Sequence, residues 1–160
     1  MKYPFEPKST SYLRPGQFWA VPLASGKYAC GRVLQVNASD IPSKNRAFFG
    51  GLLDWIGTQP PTSEDIADRP LIAFGNMHIK AILTTGGIII GERPLEEDRI
   101  KLPLLLSAQM GPGTMILRGA DAIREAKREE WGTLPVLGTW GYNFIRTLAE
   151  AKLEKSAMVV

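Results

Sequence analysis

The stretch PGQFWAVPLASGKYACGRVLQV, residues 15–36, decides the fold, because it is typical of two β-strands around a tight turn. Apolar and aromatic side chains fill residues 17–23, whereas residues 28–36 alternate between two sets of side chains, as strand residues do. Residues 24–27 supply the turn, since their glycine adopts a positive φ at little cost. Gly31, in the middle of the second strand, predicts a bulge or a coil of the sheet.

Short β-prone segments follow this hairpin. Apolar runs bounded by turn residues predict further strands at residues 47–55, 70–74, 77–83, 87–91, 102–107 and 114–117. Residues 1–13 contain two prolines and are polar, so they are predicted to form an N-terminal tail. Residues 14–160 are predicted to form a single domain.

Two helices are expected to end the chain. Asp121 is a candidate cap for a charged helix over residues 122–131, and Thr139 for an amphipathic helix over residues 140–155. Strands dominate and helices come last, which is typical of an α+β fold. We therefore predict a β-rich single domain with a strongly coiled antiparallel sheet or a small barrel with an SH3-like start, followed by two C-terminal helices.

Charge is unevenly distributed over a chain whose net charge is +3. Residues 1–53 carry seven basic and two acidic side chains, so this part is positively charged. Residues 54–130 carry nine basic and twelve acidic side chains, and residues 131–160 carry three basic and two acidic side chains. A dedicated nucleic-acid-binding protein usually has a denser basic face, so nucleic acid is not the expected partner. A single cysteine forms no internal disulfide, and no apolar run is long enough to cross a bilayer, so we expect a cytoplasmic protein without a membrane partner.

No catalytic or metal-binding motif stands out. Cys30 and His78 are the only cysteine and the only histidine, and both lie in apolar strand-like segments that favour a structural role. Two such residues are too few for a zinc site, which takes about four nitrogen or sulfur ligands. The sequence therefore predicts a protein that is not an enzyme and that needs no cofactor or metal.

Two acidic clusters lie in polar connectors between the predicted strands. Their members, which are our candidate binding residues, are Glu64, Asp65 and Asp68 in the first and Glu96, Glu97 and Asp98 in the second. Solvated loops are the ordinary explanation for such clusters. The functional alternative is a contact surface for a basic partner, because complementary charge accelerates encounter.

The opening block resembles a family of bacterial immunity proteins, family 26 of the polymorphic toxin systems. The matching motifs are PGxF at 15–18, AVPL at 20–23, GKYAxGRVL at 26–34 and, more weakly, IIIG at 88–91 followed by PLE at 94–96. The resemblance implies a β-rich, non-catalytic protein that binds and neutralises a co-encoded toxin by occluding its active site. The two acidic clusters are then the expected toxin contacts.

A second resemblance points to a different function. The segments QFWAV at 17–21 and GRVL at 31–34 are similar to the first two strands of the SH3-like barrels of toxin endoribonucleases. An RNA-binding or RNA-cleaving barrel needs a basic groove, for which the N-terminal third offers Arg14, Arg32, Lys44 and Arg46. An interaction module without a toxin partner is a third possibility.

Overall fold

The predicted hairpin forms the centre of the molecule. The structure, a computed structural model, describes residues 1–109 and 111–154. Strand β1 (Gln17–Pro22) pairs with β2 (Tyr28–Gln35) in antiparallel register, with Trp19 opposite Gly31. Both strands end within one residue of the ends predicted from the sequence, which confirms the predicted β-hairpin.

Six strands build the larger sheet. Its other members are β3 (Ala47–Gly57), β4 (Leu71–His78), β5 (Gly91–Glu92) and β9 (Thr139–Trp140). The order is β5-β1-β2-β3-β4-β9, and every pair is antiparallel except β4 with β9. Since β5 and β9 are two separate edges, this sheet does not close into the small barrel that was one of the two predicted forms.

A second, three-stranded sheet comes from the later part of the chain. It contains β6 (Leu104–Leu106), β7 (Met115–Arg118) and β8 (Asp121–Glu125). The helix predicted over residues 122–131 is therefore wrong, since a strand occupies its first half and a single 3₁₀ turn follows. Its charged side chains are exposed along an edge strand, and a charge pattern alone does not separate such a strand from a solvated helix.

Strand β4 is one strand where two were predicted. The Gly75-Asn76 pair, predicted as a turn, lies inside it, and the following residues form helix α1 (Lys80–Thr85). Gly75 has another role there, because a Cβ at this position would lie 2.5 Å from Nε1 of Trp140. The glycine allows the indole to pack on the strand.

The final helix is shorter than predicted. Helix α2 (Phe144–Ala149) continues into a π-helical segment (Glu150–Glu154), and Thr139, the expected cap, belongs to β9 instead. The predicted end at residue 155 lies outside the described residues. Buried Ile145, Ala149 and Leu153 recur every four residues and face the core. One C-terminal helix thus replaces the expected two.

Both faces of the larger sheet are covered. On one face, Trp19, Val33 and Phe48 pack against residues of α1 and α2, and on the other, Leu34 and Phe49 pack against the second sheet. The segment predicted as a tail also lies against the body, where Phe5 forms a bridge with Ile89.

The indole of Trp19 lies against Gly31 and leaves no room for a side chain there. A Cβ at this position would lie 2.4 Å from Cζ2 of Trp19, whose indole N–H donates to Thr85 Oγ1 at 3.1 Å. The register between β2 and β3 shifts between Ala29 and Gly31, but the extra residues lie in β3, and β2 keeps a regular register with β1. The indole thereby joins β1, β2 and α1.

Replacing Gly31 with alanine is expected to lower the free energy of unfolding by about 1–3 kcal/mol, the usual cost of overpacking a core. Gly138→Ala is the matched control, because nothing lies within 4 Å of a Cβ there. Urea unfolding followed by tryptophan fluorescence measures both. Equal stability of the two variants would contradict the packing described for Trp19.

Candidate functional site

The first acidic connector is folded by its own side chains. The amide of Thr62 donates to Asp65 Oδ2 at 2.9 Å, and the amide of Asp65 donates to Thr62 Oγ1 at 3.3 Å. Ile66 is fully buried in the core beside Phe18. The buried Ile66 side chain holds the connector against the core. The three acidic residues of this connector are exposed: Glu64, Asp65 and Asp68.

The second acidic connector separates its three carboxylates. It follows β5 and makes one 3₁₀ turn, Leu95–Asp98. Glu96 and Glu97 are exposed, whereas Asp98 is only 4% exposed. A carboxylate in that position is not available to a partner, so Asp98 differs from the other five candidate residues.

Asp98 is held by a dense set of donors. Its Oδ2 accepts from Arg32 Nη1 at 2.7 Å, and its two oxygens accept from Arg93 Nε at 2.7 and 2.9 Å. The backbone amide of Asp68 donates to Asp98 Oδ1 at 3.0 Å. Arg32 also donates to the carbonyl oxygen of Arg93. The side chains of both Arg32 and Asp98 are fully buried, and a buried charge of this kind persists only when it is paired and hydrogen-bonded.

These contacts set the ionisation of the carboxylate. Burial alone would raise the pKa of Asp98, but the hydrogen bonds from the Asp68 amide, Arg93 and Arg32 outweigh it. The pKa of Asp98 therefore lies below its ordinary value, and the group is ionised at neutral pH.

Asp98 joins the two acidic connectors. They are about 30 residues apart in sequence, yet the amide of Asp68 in one binds the carboxylate of Asp98 in the other. Asp68 and Arg99 have φ of 59° and 57°, a left-handed conformation that side-chain-bearing residues adopt rarely and that is enriched at functional sites. The structure thus joins the two connectors through Asp98, and we call their exposed acidic residues the acidic surface (Glu64, Asp65, Asp68, Glu96 and Glu97).

A cleft of about 570 Å³ borders the acidic surface. Its apolar walls come from the start of β4 and from the segment before β6, and its rim carries both signs of charge. The lining residues are Asp68, Pro70, Leu71, Phe74, Asp98, Arg99, Ile100, Lys101 and Pro103. Such a mixed, open cleft is suited to receiving a protruding side chain of a protein partner.

The candidate nucleophile and base are placed unfavourably for catalysis. Cys30 is fully buried, and burial raises the pKa of its thiol despite the nearby positive charge of Arg32. His78 lies at the end of β4, where its Nδ1 accepts from the amide of Lys80 at 3.0 Å. Within residues 1–109 and 111–154, no group of three or more His, Cys, Asp or Glu side chains is placed to hold a metal ion.

The four basic residues that an RNA-binding groove would need do not line a common groove. Arg32 is fully buried against Asp98, and Arg14 forms an ion pair of 2.8 Å with Glu92. Lys44 and Arg46 donate instead to backbone carbonyl oxygens. With Arg32 unable to contact a phosphate, the basic set on which the endoribonuclease alternative depends is not assembled.

Sequence reasoning missed the pairing of Arg32 with Asp98. A signal for it was present, because Arg32 alternates with Cys30 and Leu34 on one side of β2, both of which are buried. A cation inside an apolar strand face needs a buried carboxylate. Nothing local showed which of the three consecutive acidic residues at 96–98 supplies it.

We expect Asp98→Asn to lower the free energy of unfolding at pH 7 by about 3–5 kcal/mol, because it leaves Arg32 buried without a countercharge. The depressed pKa of Asp98 means that its stabilising contribution is complete above the ordinary aspartate pKa of about 3.9 and is lost as the pH falls below it. The difference between wild type and variant should therefore shrink below about pH 4.

Urea unfolding at pH 7 and at about pH 2.5 measures this difference, because the stabilisation is lost as the pH falls from the ordinary pKa through the lowered pKa of Asp98. Glu96→Gln is the matched control, since it removes an exposed carboxylate two residues away and should change stability by less than about 0.5 kcal/mol. A deficit in Asp98→Asn that is independent of pH, or no deficit at all, would show that the ion pair does not hold the connectors.

Comparison with known proteins places this site in a family context. No helix of the described residues is long and apolar enough to cross a membrane. No curated protein and no solved structure matches the chain. The model of the family named immunity protein 26 matches residues 14–110, which include the hairpin, the two acidic connectors and Arg32. More than half of the chain is covered, and the chain therefore belongs to the immunity protein 26 family.

Proposed function

We propose that this protein neutralises a toxin encoded beside it in a bacterial polymorphic toxin system, by binding the toxin in the cytoplasm and occluding its active site. Membership of the immunity protein 26 family is the observation that carries the proposal, because it implies an immunity protein of a toxin system. The mechanism is steric and involves no chemistry by this chain. Its residues Cys30 and His78 supply no accessible nucleophile with a base.

The acidic surface is the contact region that we propose. Its five carboxylates belong to exposed residues on two connectors joined through Asp98, and one of the five, Asp68, lines the cleft. The expected toxin face is basic, because complementary charge steers the two proteins together and fixes their register. Asp98 contributes indirectly, as the buried anchor that positions the exposed residues.

A preformed surface makes such binding efficient. Ordering a loop on binding costs free energy, and the contacts of Asp98 complete that ordering before the toxin arrives. A stable complex of ordinary size would bury ~1,600 Å² in total, about half on each partner. An area of this size covers the acidic surface, the cleft and part of the neighbouring sheet edge.

Reversing charge on both connectors, with Glu64→Lys and Glu96→Lys together, should slow association with the toxin about tenfold or more at low salt. Neither carboxylate is ion-paired within the described ranges, so the folded state should be unaffected. Surface plasmon resonance with the immobilised toxin domain from the adjacent reading frame measures the association rate.

The matched control reverses two exposed glutamates on the second sheet and its following turn, Glu125→Lys and Glu129→Lys. Slowed association in the connector variant alone supports the acidic surface. Equal rates in both variants would mean that the toxin binds elsewhere. Wild-type protein that neither binds the toxin nor protects cells expressing it would refute the proposed function itself.

A further inference from the structure

Three aromatic residues within five positions, Trp140, Tyr142 and Phe144, which we call the aromatic cluster, form two separate ring pairs at the edge of the larger sheet. Trp140 in β9 packs on Phe144 at the start of α2, with ring centroids 5.2 Å apart, and Tyr142 packs on His78 at 5.5 Å. Tyr142 is 46% exposed and Phe144 is 42% exposed. Exposed aromatic clusters are typical of binding surfaces, because tyrosine and tryptophan bury large areas at low entropic cost.

Positive charge lies beside one of these rings. Lys80 Nζ lies 5.5 Å from the centroid of the Tyr142 ring. Burial lowers the pKa of His78, and the charges of Lys80 and Arg46 lower it further. The guanidinium of Arg46 is engaged elsewhere, because its Nη1 donates to the carbonyl oxygen of Lys8 at 2.9 Å. Within the described residues Lys80 forms no ion pair, so its charge beside the Tyr142 ring is uncompensated.

The cluster is held rigidly on the sheet. The amide of Asn76 in β4 donates to the carbonyl oxygen of Gly138 at 2.9 Å, and the indole of Trp140 packs on Gly75. On the other side, Arg146 Nε donates to the carbonyl oxygen of Pro22 at 2.8 Å, which fixes the start of α2. Rings that are already ordered lose little conformational entropy when a partner covers them.

The rings also lie outside the part of the chain that the family model describes. The match ends at residue 110, whereas β9 and α2 follow it, and only the cations and His78 come from the matched region. The family match therefore does not itself assign a role to these rings.

We infer that Trp140, Tyr142 and Phe144, with Lys80, bind an acidic patch on the same toxin. The inference rests on the proposed function and extends it. The uncompensated charge of Lys80 argues for a carboxylate-bearing partner surface, and the rings provide the apolar contact.

Strand β4 links the two regions, because Leu71 borders the cleft beside Asp68 and His78 borders Tyr142. Seven residue steps of a strand span about 23 Å. Leu71 packs on the side of the second sheet, whereas Trp140 packs on the side of the helices. A toxin that contacts both regions therefore has to extend around the sheet edge formed by β9.

Binding of the toxin domain from the adjacent reading frame tests the inference. Tyr142→Ala with Phe144→Ala should raise the Kd about 30-fold or more, mainly through faster dissociation. Lys80→Glu alone should slow association and weaken its dependence on salt. Thermal unfolding establishes that each variant is folded, and the Lys80 variant leaves all three rings in place.

Matched controls remove an exposed ring and reverse an exposed charge elsewhere: Tyr12→Ala, at a residue 68% exposed, and Lys27→Glu. These should leave the Kd unchanged. If wild type binds the toxin tightly and the variants of the aromatic cluster and of Lys80 have the same Kd, this inference is overturned and the proposed function stays intact. Wild type that does not bind the toxin would overturn both. If the protein instead binds a single-stranded RNA in a salt-sensitive way, and Tyr142→Ala abolishes that binding, the aromatic cluster is a nucleic-acid-binding surface.

Discussion

The buried ion pair between Arg32 and Asp98 is the interaction on which the arrangement of the two acidic connectors depends. Removing two charges from water costs several kcal/mol for each ion, and a single contact does not offset that cost. Here Arg93 and the amide of Asp68 add hydrogen bonds to the same carboxylate. The pair therefore connects the central hairpin, the second connector and the first connector through one group.

The location of this pair explains how a sheet protein presents loops in a defined position. Both faces of the larger sheet are covered, by helices on one side and by the second sheet and the connectors on the other. Arg32 reaches the connectors because it faces the second side. Along β4, the acidic surface then lies at one end and the aromatic cluster at the other, on an edge where β9 pairs with only Asn76 and Met77. The two proposed contact regions are thus separate features at the two ends of one strand.

The sequence predicted the elements whose pattern is local. Period-two alternation identified β1 and β2, and the family motifs lie in the same stretch. It did not predict that both faces of β2 are covered, so Arg32 was a candidate cation for the groove of the alternative RNA-binding function. A helix was predicted where β8 lies, because the sequence of a charged edge strand resembles that of a polar helix. A turn was predicted at Gly75, because the sequence does not show that this glycine makes room for the indole of Trp140. The burial of Asp98 among three consecutive acidic residues depends on a contact with residue 32, which no local pattern contains.

Amide hydrogen exchange of the free protein tests most directly whether the buried ion pair holds the acidic surface in place before any partner binds. The informative probe is the amide of Asp68, which belongs to an exposed residue and donates only to Asp98. Our account predicts that this amide exchanges at least about 100-fold more slowly than an unprotected amide, and that Arg32→Met removes the protection while β3 stays protected. Exchange of the Asp68 amide at the unprotected rate in the wild-type protein would contradict it.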